Sequence, residues 1–148
     1  MIATLEQTPA TLVRLTAMQT DAVLDFRTGP DEWSIREILA HLVDDEMFVM
    51  RTRLERMMKE ENPSLASHDE KKWHRHRNTS RDTVSELLRD FAEQRTASLG
   101  ILTFLGDEDW ARTAFHPEYG QFNVEAWLDH WVEHDLVHIQ QIERQVKR

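Results

Sequence analysis

The sequence predicts an all-α protein built as a four-helix bundle. Four long segments place apolar residues at helical spacing, whereas no run of alternating apolar and polar residues is long enough to predict a strand. Only four glycines and four prolines occur in 148 residues, and nearly all lie where one of these segments ends. Because each amphipathic helix must cover its apolar stripe, we expect the four to pack together as one domain over residues 1–148.

The first two helices are delimited by prolines and by a capping pattern. Helix one is expected to begin after Pro9 and to end before Gly29-Pro30. Helix two is expected to begin at Ser34, since Ser34 and Glu37 have the spacing of a capping box, and to reach about Glu61. The supporting apolar stripes are Leu12, Val13, Leu15, Val23, Leu24 and Phe26 in the first helix, and Ile35, Ile38, Leu42 and Val49 in the second.

The last two helices are delimited in the same way. Helix three is expected to begin near Ser80 or Asp82 and to stop at Gly106. Helix four is expected to follow Asn123 as its N-cap, because no glycine or proline occurs from Val124 to the end of the chain. The apolar stripe of helix three comprises Val84, Leu87, Leu88, Phe91, Leu99 and Leu102.

Two connections between the helices are long. The segment 62–79 has about 18 residues, enough to travel the length of a bundle, so helices two and three could run parallel with this segment as a crossover. The segment 107–122 contains His116-Pro117-Glu118-Tyr119-Gly120 and predicts a compact loop before helix four. Loops of this length commonly have a function, such as shaping the mouth of a pocket.

Composition narrows the class of function. The net charge of −9 argues against broad nucleic-acid binding, and the lack of cysteine excludes disulfides, thiolate ligands and a cysteine nucleophile. Neither a signal peptide nor a membrane span is expected, so the predicted location is the cytoplasm. One basic cluster, Lys71 to Arg77, could guide an anionic substrate or contact nucleic acid, but a solvated crossover loop is the favoured interpretation.

Helix four carries a candidate metal-binding pair. His134 and His138 are four residues apart and share a stripe with Trp127, Trp131 and Ile142, so both imidazoles should face the core. Buried imidazoles without partners cost a few kcal/mol each, roughly. A divalent metal is a partner that favours two neutral imidazoles at this spacing. The alternative is a pair of core histidines that binds no metal, in an interaction or stress protein.

Helix two offers a third ligand. His41 lies about seven residues, roughly 10 Å, after the start of the helix. In an antiparallel arrangement this depth matches that of His138, and in a parallel one it approaches that of His134. Three histidines from two helices would leave an open coordination position, as catalytic metals have.

Several other polar residues could support such a site. Asp45, Asp135 and Gln141 could accept hydrogen bonds from the imidazole N–H groups, and Asp45 could also be a fourth ligand. His130 could be a pocket residue, although a partly exposed helix histidine is the favoured interpretation. Arg95 on helix three could bind a substrate carboxylate or pair with an acidic residue of a neighbouring helix.

Several motifs together resemble those of the DinB-like family of damage-inducible four-helix proteins, also described as YfiT-like. The resemblance spans about residues 5–145 and is carried by Glu32-Trp33-Ser34, His41 to Glu46, Arg95, Asp109-Trp110, 116–120 and 134–142. It implies an up-down-down-up bundle with a crossover after helix two. It also implies a divalent metal, zinc or nickel, held by His41, His134 and His138.

The resemblance also implies a range of activities on small molecules. Members are similar to S-transferases and isomerases that use bacillithiol, mycothiol or glutathione, and others are described as metal-dependent hydrolases. We therefore expect a metal that activates a low-molecular-weight thiol or a water molecule. The alternative is a metal-binding or interaction bundle without chemistry.

The resemblance implies a homodimer as well, and helix two independently suggests one. Its apolar residues off the His41 face exceed what one bundle contact needs, and such surfaces commonly meet a second copy. These residues are Leu39, Met47, Met50, Leu54 and Met57.

Overall fold

The computed structural model describes residues 1–147 and forms a four-helix bundle, as predicted. Helices α3 and α4 are joined by the π-helical turn Glu46–Met50 into one continuous segment, which forms the bundle with α1, α6 and α7. The helices are α1 Ile2–Thr16, α2 Asp21–Leu24, α3 Ile35–Asp45, α4 Arg51–Lys59, α5 Glu70–His76, α6 Val84–Leu102 and α7 Val124–Val146. Short 3₁₀ turns cover Thr79–Arg81 and Asp107–Ala111, and two strands, β1 Thr113–His116 and β2 Gly120–Asn123, precede α7.

Hydrogen bonds between the helices define their directions. The Arg36 side chain donates to the carbonyl of Asp82 and the Arg51 side chain to that of Gln94, so α3–α4 runs parallel to α6. Antiparallel pairing with α7 follows from two further bonds, Trp127 Nε1 to the carbonyl of Met50 and Gln145 Nε2 to the carbonyl of Trp33. Leu5 and Trp127 belong to one buried apolar cluster, and Leu12 and Ile142 belong to the other, so α1 runs parallel to α7. The up-down-down-up order with a crossover after helix two is confirmed.

Three helix starts are fixed by side-chain caps. The capping box of Ser34 and Glu37 is present, and Asn123 accepts from the backbone N–H of Ala126, both as predicted. Helix three begins slightly later than predicted, since Thr83 is the residue that caps it. It ends at Leu102, before the predicted stop at Gly106.

The predicted start of helix one is wrong. α1 already begins at Ile2 and contains Pro9, and it ends at Thr16, with the short helix α2 following separately. Proline has no backbone N–H and therefore cannot bond the carbonyl four residues earlier. That carbonyl, of Leu5, instead accepts a hydrogen bond of 2.8 Å from Arg95 Nη1, so the helix continues through the proline without a buried orphan acceptor.

The expectation of no strands is also wrong. β1 and β2 form an antiparallel hairpin in which His116 pairs with Gly120, and Gly120 has the positive φ of +73° that this tight turn requires. Four-residue strands are too short to show an alternating pattern. The crossover joins the hairpin, since the Leu65 N–H donates to the Phe115 carbonyl at 2.7 Å.

A buried polar layer divides the apolar core into two clusters. Arg95 is 1% exposed, and its five N–H donors bond Glu46, Asp135 and the Leu5 carbonyl at 2.7–2.9 Å. Thr8 donates to Asp135 at 2.6 Å. The first cluster includes Leu5, Met50, Leu54, Met57, Trp127 and Trp131, and the second includes Leu12, Ile35, Ile38, Leu42, Phe91 and Ile142.

The apolar residues of helix two do not form a free surface. Leu39, Met50, Leu54 and Met57 are at most 2% exposed inside the protomer. The expectation that these residues are left over for a second copy is therefore wrong for four of the five, because helix two has neighbours on several sides within its own chain, and Met47 is partly buried. Within residues 1–147, no helix combines the length and the apolar character needed to cross a membrane.

We expect Arg95→Met to destabilise the protein strongly. The substitution keeps the volume of the side chain but leaves two buried carboxylates, Glu46 and Asp135, without their cation. Breaking a buried pair in this way costs about 3–5 kcal/mol, measurable as a lower urea midpoint. Arg89→Met is the matched control, since Arg89 is exposed on the same helix and should change stability by less than about 0.5 kcal/mol. A loss below about 1 kcal/mol for Arg95→Met would contradict this account.

Candidate metal centre

Three imidazoles from two antiparallel helices converge at one point. His41 on α3 and His134 on α7 bring their Nε2 atoms to 3.2 Å. The ring of His138 lies 4.7 Å from that of His41 and 4.6 Å from that of His134, measured between centroids. One nitrogen from each ring lies within 4.8 Å of the others. The three residues proposed from the sequence as ligands therefore lie together.

Two carboxylates lie on the same side of these rings. Asp45 Oδ2 is 3.2 Å from Nε2 of His134 and 3.4 Å from Nε2 of His41. Glu70, on the crossover helix α5, places Oε2 at 3.5 Å from Nε2 of His41. Both carboxylates thus face the nitrogens that meet one another. Of the two possibilities for Asp45, this geometry favours a ligand position over that of an acceptor behind the ring.

The orientation of the His138 ring is set by a hydrogen bond to Gln141. Its Nδ1 lies 2.7 Å from Gln141 Oε1. Because an amide oxygen only accepts hydrogen bonds, Nδ1 carries the proton and Nε2 keeps a free lone pair. Trp33 packs against the ring of His41 at 4.8 Å. Partners of this kind fix the tautomer and direction of imidazoles that bind metals.

The electrostatics favour a cation at this point. Burial, reinforced by the neighbouring histidines, lowers the pKa of His41 to about 3, although Asp45 opposes the shift. Burial and His134 likewise lower the pKa of His138 to about 4. Burial would raise the pKa of Asp45, but His134 and His41 outweigh it and the pKa is lowered. Neutral imidazoles and an ionised carboxylate in one buried cluster are the donor set that a divalent metal requires.

A cavity of about 630 Å³ opens beside this cluster. Its walls come from α4, the crossover, the hairpin and α7. Among the predicted pocket residues, His130 lies in its wall and stacks on Trp127 at 5.1 Å. The lining residues are Asp45, Val49, Met50, Arg53, Ser67, His68, Asp69, Glu70, Lys71, His116, Glu118, Tyr119, Trp127, His130 and His134.

Two other candidates have structural roles. Arg95 pairs with Glu46 and Asp135 and does not line the cavity, which is the second of the two roles considered for it. Asp135 bonds Arg95 and Thr8 rather than an imidazole N–H, so the expectation that it orients a histidine is wrong. Its position directly after His134 turns its side chain to a different face of α7.

The basic cluster Lys71 to Arg77 is mostly helix, so the expectation of a loop is wrong, although five of its seven residues are exposed to solvent as expected. Trp73 Nε1 and Arg77 Nε both donate to Asp44 Oδ2, at 2.8 and 2.6 Å, and His74 contacts Glu37 at 2.8 Å. These contacts hold α5 against α3. Lys71, one residue after Glu70, lines the cavity.

Two residues at the site were missed from the sequence, Glu70 and Arg53. Asp69 accepts from the backbone N–H of Lys72 and so caps α5, and this aspartate was a signal that a helix begins at Glu70. Arg53 lines the cavity beyond the π-helical turn Glu46–Met50. The position of Arg53 at the cavity could not be predicted from regular helical spacing.

Comparisons with known proteins show what this chain is similar to. The family model described as the DinB superfamily matches residues 4–142. "Putative metal-dependent hydrolase YfiT" of Bacillus subtilis (strain 168) is 26% identical over 152 residues, covering 98% of this chain and 83% of that protein. "Putative metal-dependent hydrolase OB0782" of Oceanobacillus iheyensis is 30% identical over 139 residues, covering 93% and 77%.

A solved structure is similar as well. YfiT from Bacillus subtilis, described as a probable metal-dependent hydrolase with an unusual four-helix bundle topology, superposes with a TM-score of 0.82 at 26% identity. The match covers 99% of this chain and 85% of that one. The fold of this chain is thus the same bundle.

We expect the metal-free protein to lose stability as the pH falls from 7.5 to 5.5. In the folded protein the pKa values of His41 and His138, about 3 and about 4, lie below the ordinary value of 6.5. Below pH 6.5 the unfolded chain therefore binds more protons than the folded protein does, and acidification favours unfolding. Two such groups contribute about 2–3 kcal/mol over this range.

Urea denaturation of chelator-treated protein at several pH values measures this effect. His138→Asn removes one of the two groups while keeping a donor for Gln141, and it should lower the pH dependence by about half. A wild-type stability that does not change between pH 7.5 and 5.5 would show that the histidines are not buried in neutral form.

Proposed function

The chain belongs to the DinB superfamily, and on that premise we propose that it is a metal-dependent hydrolase of a small molecule, with its metal held by His41, His134 and His138. The convergence of three imidazoles at the edge of a cavity is the observation that carries the proposal. Asp45 would complete the set on the same side. Nitrogen ligands with one carboxylate suit zinc or nickel. The names of the relatives support hydrolysis as the reaction.

The bound metal would lower the pKa of a water molecule or polarise a substrate carbonyl. The residues of the chain do the remaining work. Gln141 holds His138 in the tautomer that leaves Nε2 unprotonated, and Trp33 fixes the ring of His41. His41 and His138 are at most 6% exposed, so a substrate would approach through the cavity, which His134 borders.

Glu70 is our candidate for the general base. Its carboxylate lies at the edge of the ligand cluster, 3.5 Å from His41, yet its side chain is 46% exposed and lines the cavity. A group placed between the metal position and the substrate space can accept a proton from the attacking water and deliver it to the leaving group. Burial and the charge of Asp45 raise the pKa of Glu70. This brings the pKa of Glu70 closer to the pKa values of the attacking water and of the leaving group.

Transfer to a low-molecular-weight thiol is the second candidate function. A cavity of about 630 Å³ is far larger than a water nucleophile needs and has room for a thiol cosubstrate beside an electrophile. The chain has no cysteine, so such a thiol would come from outside the protein. Glu70 would then accept the thiol proton. The homodimer and the cytoplasmic location remain predictions that accompany this assignment.

Purified protein supplied with zinc or nickel is expected to bind one ion per chain. His134→Ala should abolish stoichiometric binding and leave the helical content unchanged, because four apolar stripes do not depend on this half-buried side chain. His76→Ala, an exposed histidine on α5, is the control and should bind as the wild type does. Elemental analysis with circular dichroism gives both readouts. Less than one-tenth of an ion per wild-type chain would exclude a metal-dependent function.

We expect Glu70→Gln to lower kcat by about 100-fold or more on small ester and amide substrates, with the metal content unchanged, because glutamine cannot accept the proton. Glu125→Gln, at an exposed position of α7, is the matched control. Parallel assays with glutathione and a panel of electrophiles test the thiol reaction. A change in kcat below threefold would reject Glu70 as the base, and a metal-loaded protein without turnover in either assay would favour a non-catalytic metal-binding role.

A further inference from the structure

Arg53 is a buried arginine without an ion-pair partner. It is 8% exposed, and no carboxylate within residues 1–147 forms a salt bridge with it, in contrast to Arg95 with its two. Its Nη2 donates to the Ala66 carbonyl at 2.9 Å, and its guanidinium carbon lies 5.3 Å from the centre of the Trp127 ring. Burial lowers the pKa of Arg53, and Tyr119 together with the charges of Asp45 and Glu118 offsets only part of this shift. A buried cation left in this state is best stabilised by an anion that arrives from outside.

The cavity is where such an anion can reach it, since Arg53 is among the lining residues. His116, also in the lining, accepts a hydrogen bond at Nδ1 from the backbone N–H of Glu118 at 3.0 Å. Its neutral ring therefore carries the proton on Nε2, which has no hydrogen-bond acceptor among the described residues. Tyr119 stacks on His116 at 4.1 Å. The wall formed by Arg53, His116 and Tyr119 thus presents hydrogen-bond donors to the cavity.

The rest of the lining limits the charge of the anion. Four acidic residues also border the cavity, namely Asp45, Asp69, Glu70 and Glu118. Glu118 is the one beside His116, and its Oε1 accepts from Ser67 at 3.2 Å. The lysine and arginine side chains of the lining, Lys71 and Arg53, do not balance these four carboxylates, so a phosphate dianion would be repelled more strongly than a ligand with one negative charge. A carboxylate also matches the planar fork of arginine.

We propose that Arg53, with His116 and Tyr119, binds a carboxylate of the substrate at the wall of the cavity that His134 borders. The substrate class is then a small organic molecule that carries one carboxylate in addition to its reactive group. The placement of the reactive group at the metal rests on the proposed function. The carboxylate site itself depends on Arg53, His116 and Tyr119 and needs no bound metal.

Binding of phenylacetate and of phenylacetamide tests the site, because the two probes have the same shape and differ in charge. Titrations followed by NMR at pH 7.5 should show at least tenfold tighter binding of phenylacetate to wild-type protein. Arg53→Gln retains a donor for the Ala66 carbonyl but removes the charge, and it should bind the two probes with affinities within threefold of each other. Arg51→Gln is the matched control, since Arg51 bonds Gln94 and does not line the cavity. It should keep the wild-type preference.

Other outcomes overturn the inference. A wild-type protein that does not prefer phenylacetate, or an Arg53→Gln variant that keeps the preference, excludes Arg53 as the anion site. Tighter binding of inorganic phosphate than of phenylacetate excludes the assigned class of ligand. If Arg53→Gln does not fold, Arg53→Lys decides, because loss of the planar fork should reduce the preference at least threefold, and an unchanged preference overturns the proposal.

Repeating the titrations after chelator treatment separates this inference from the proposed function. A preference that persists in metal-free protein and depends on Arg53 supports the carboxylate site, whether or not metal-dependent turnover is found. A preference that disappears with the chelator or in His134→Ala, while Arg53→Gln retains it, means that the carboxylate binds the metal itself. That result would overturn the Arg53 site and leave the metal centre standing.

Discussion

The buried ion network of Arg95 is the constraint on which the rest of the bundle depends. It joins all four helices, through Thr8 on α1, Glu46 after α3, Arg95 on α6 and Asp135 on α7. Removing charges from water is costly unless every donor and acceptor is satisfied, so a shift of any helix by one residue would leave a buried charge unpaired. Glu46 follows Asp45 directly and Asp135 follows His134 directly. The network thereby also sets the depth at which the carboxylate and imidazole of the candidate metal centre meet.

The crossover connects this rigid interior to the substrate space. Helix α5 is held against α3 by contacts of Trp73, His74 and Arg77 with Asp44 and Glu37. Glu70 begins the same face of this helix and lies at the edge of the imidazole cluster. The hairpin completes the opposite wall and is itself tied to the crossover. The candidate metal ligands His41, His134 and His138 thus lie on the bundle helices, whereas much of the cavity wall is formed by separate connecting segments.

Much of this architecture could be predicted from the sequence, because the apolar stripes and capping residues act locally. The helical spacing of His134 and His138 and the depth of His41 were compatible with a meeting of the three imidazoles, and the family resemblance implied the same three residues. The predicted start of helix one was too late because the Leu5 carbonyl, which Pro9 cannot bond, is satisfied by Arg95, a residue distant in sequence. The two strands were not predicted because a strand of four residues is too short to show an alternating pattern of apolar and polar side chains.

The site residues that escaped prediction depend on irregular backbone. Glu70 lies in a short helix inside a connection. Arg53 is 12 residues after His41, which on a regular helix places the two about 120° apart around the axis. The turn Glu46–Met50 is π-helical and holds one extra residue. This reduces the difference to about 20° and brings Arg53 onto the face of His41 and Asp45.

The same turn has a consequence for how this chain can diverge. Deleting one residue between positions 46 and 50 would restore a regular helix, in which Arg53 would follow His41 by 11 residues and stay about 20° from it around the axis. Forcing the turn into α-helical geometry without a deletion would instead rotate everything after it by about 100° relative to His41 and Asp45. Arg53 would then leave the cavity, and Leu54 and Met57 would leave the core. Insertions and deletions are usually tolerated in loops, but this turn lets a helix lose one residue and keep the same side chains in the pocket. In alignments of related chains, a one-residue gap at this turn would mark loss of the π-helical turn rather than a change of ligand or of fold.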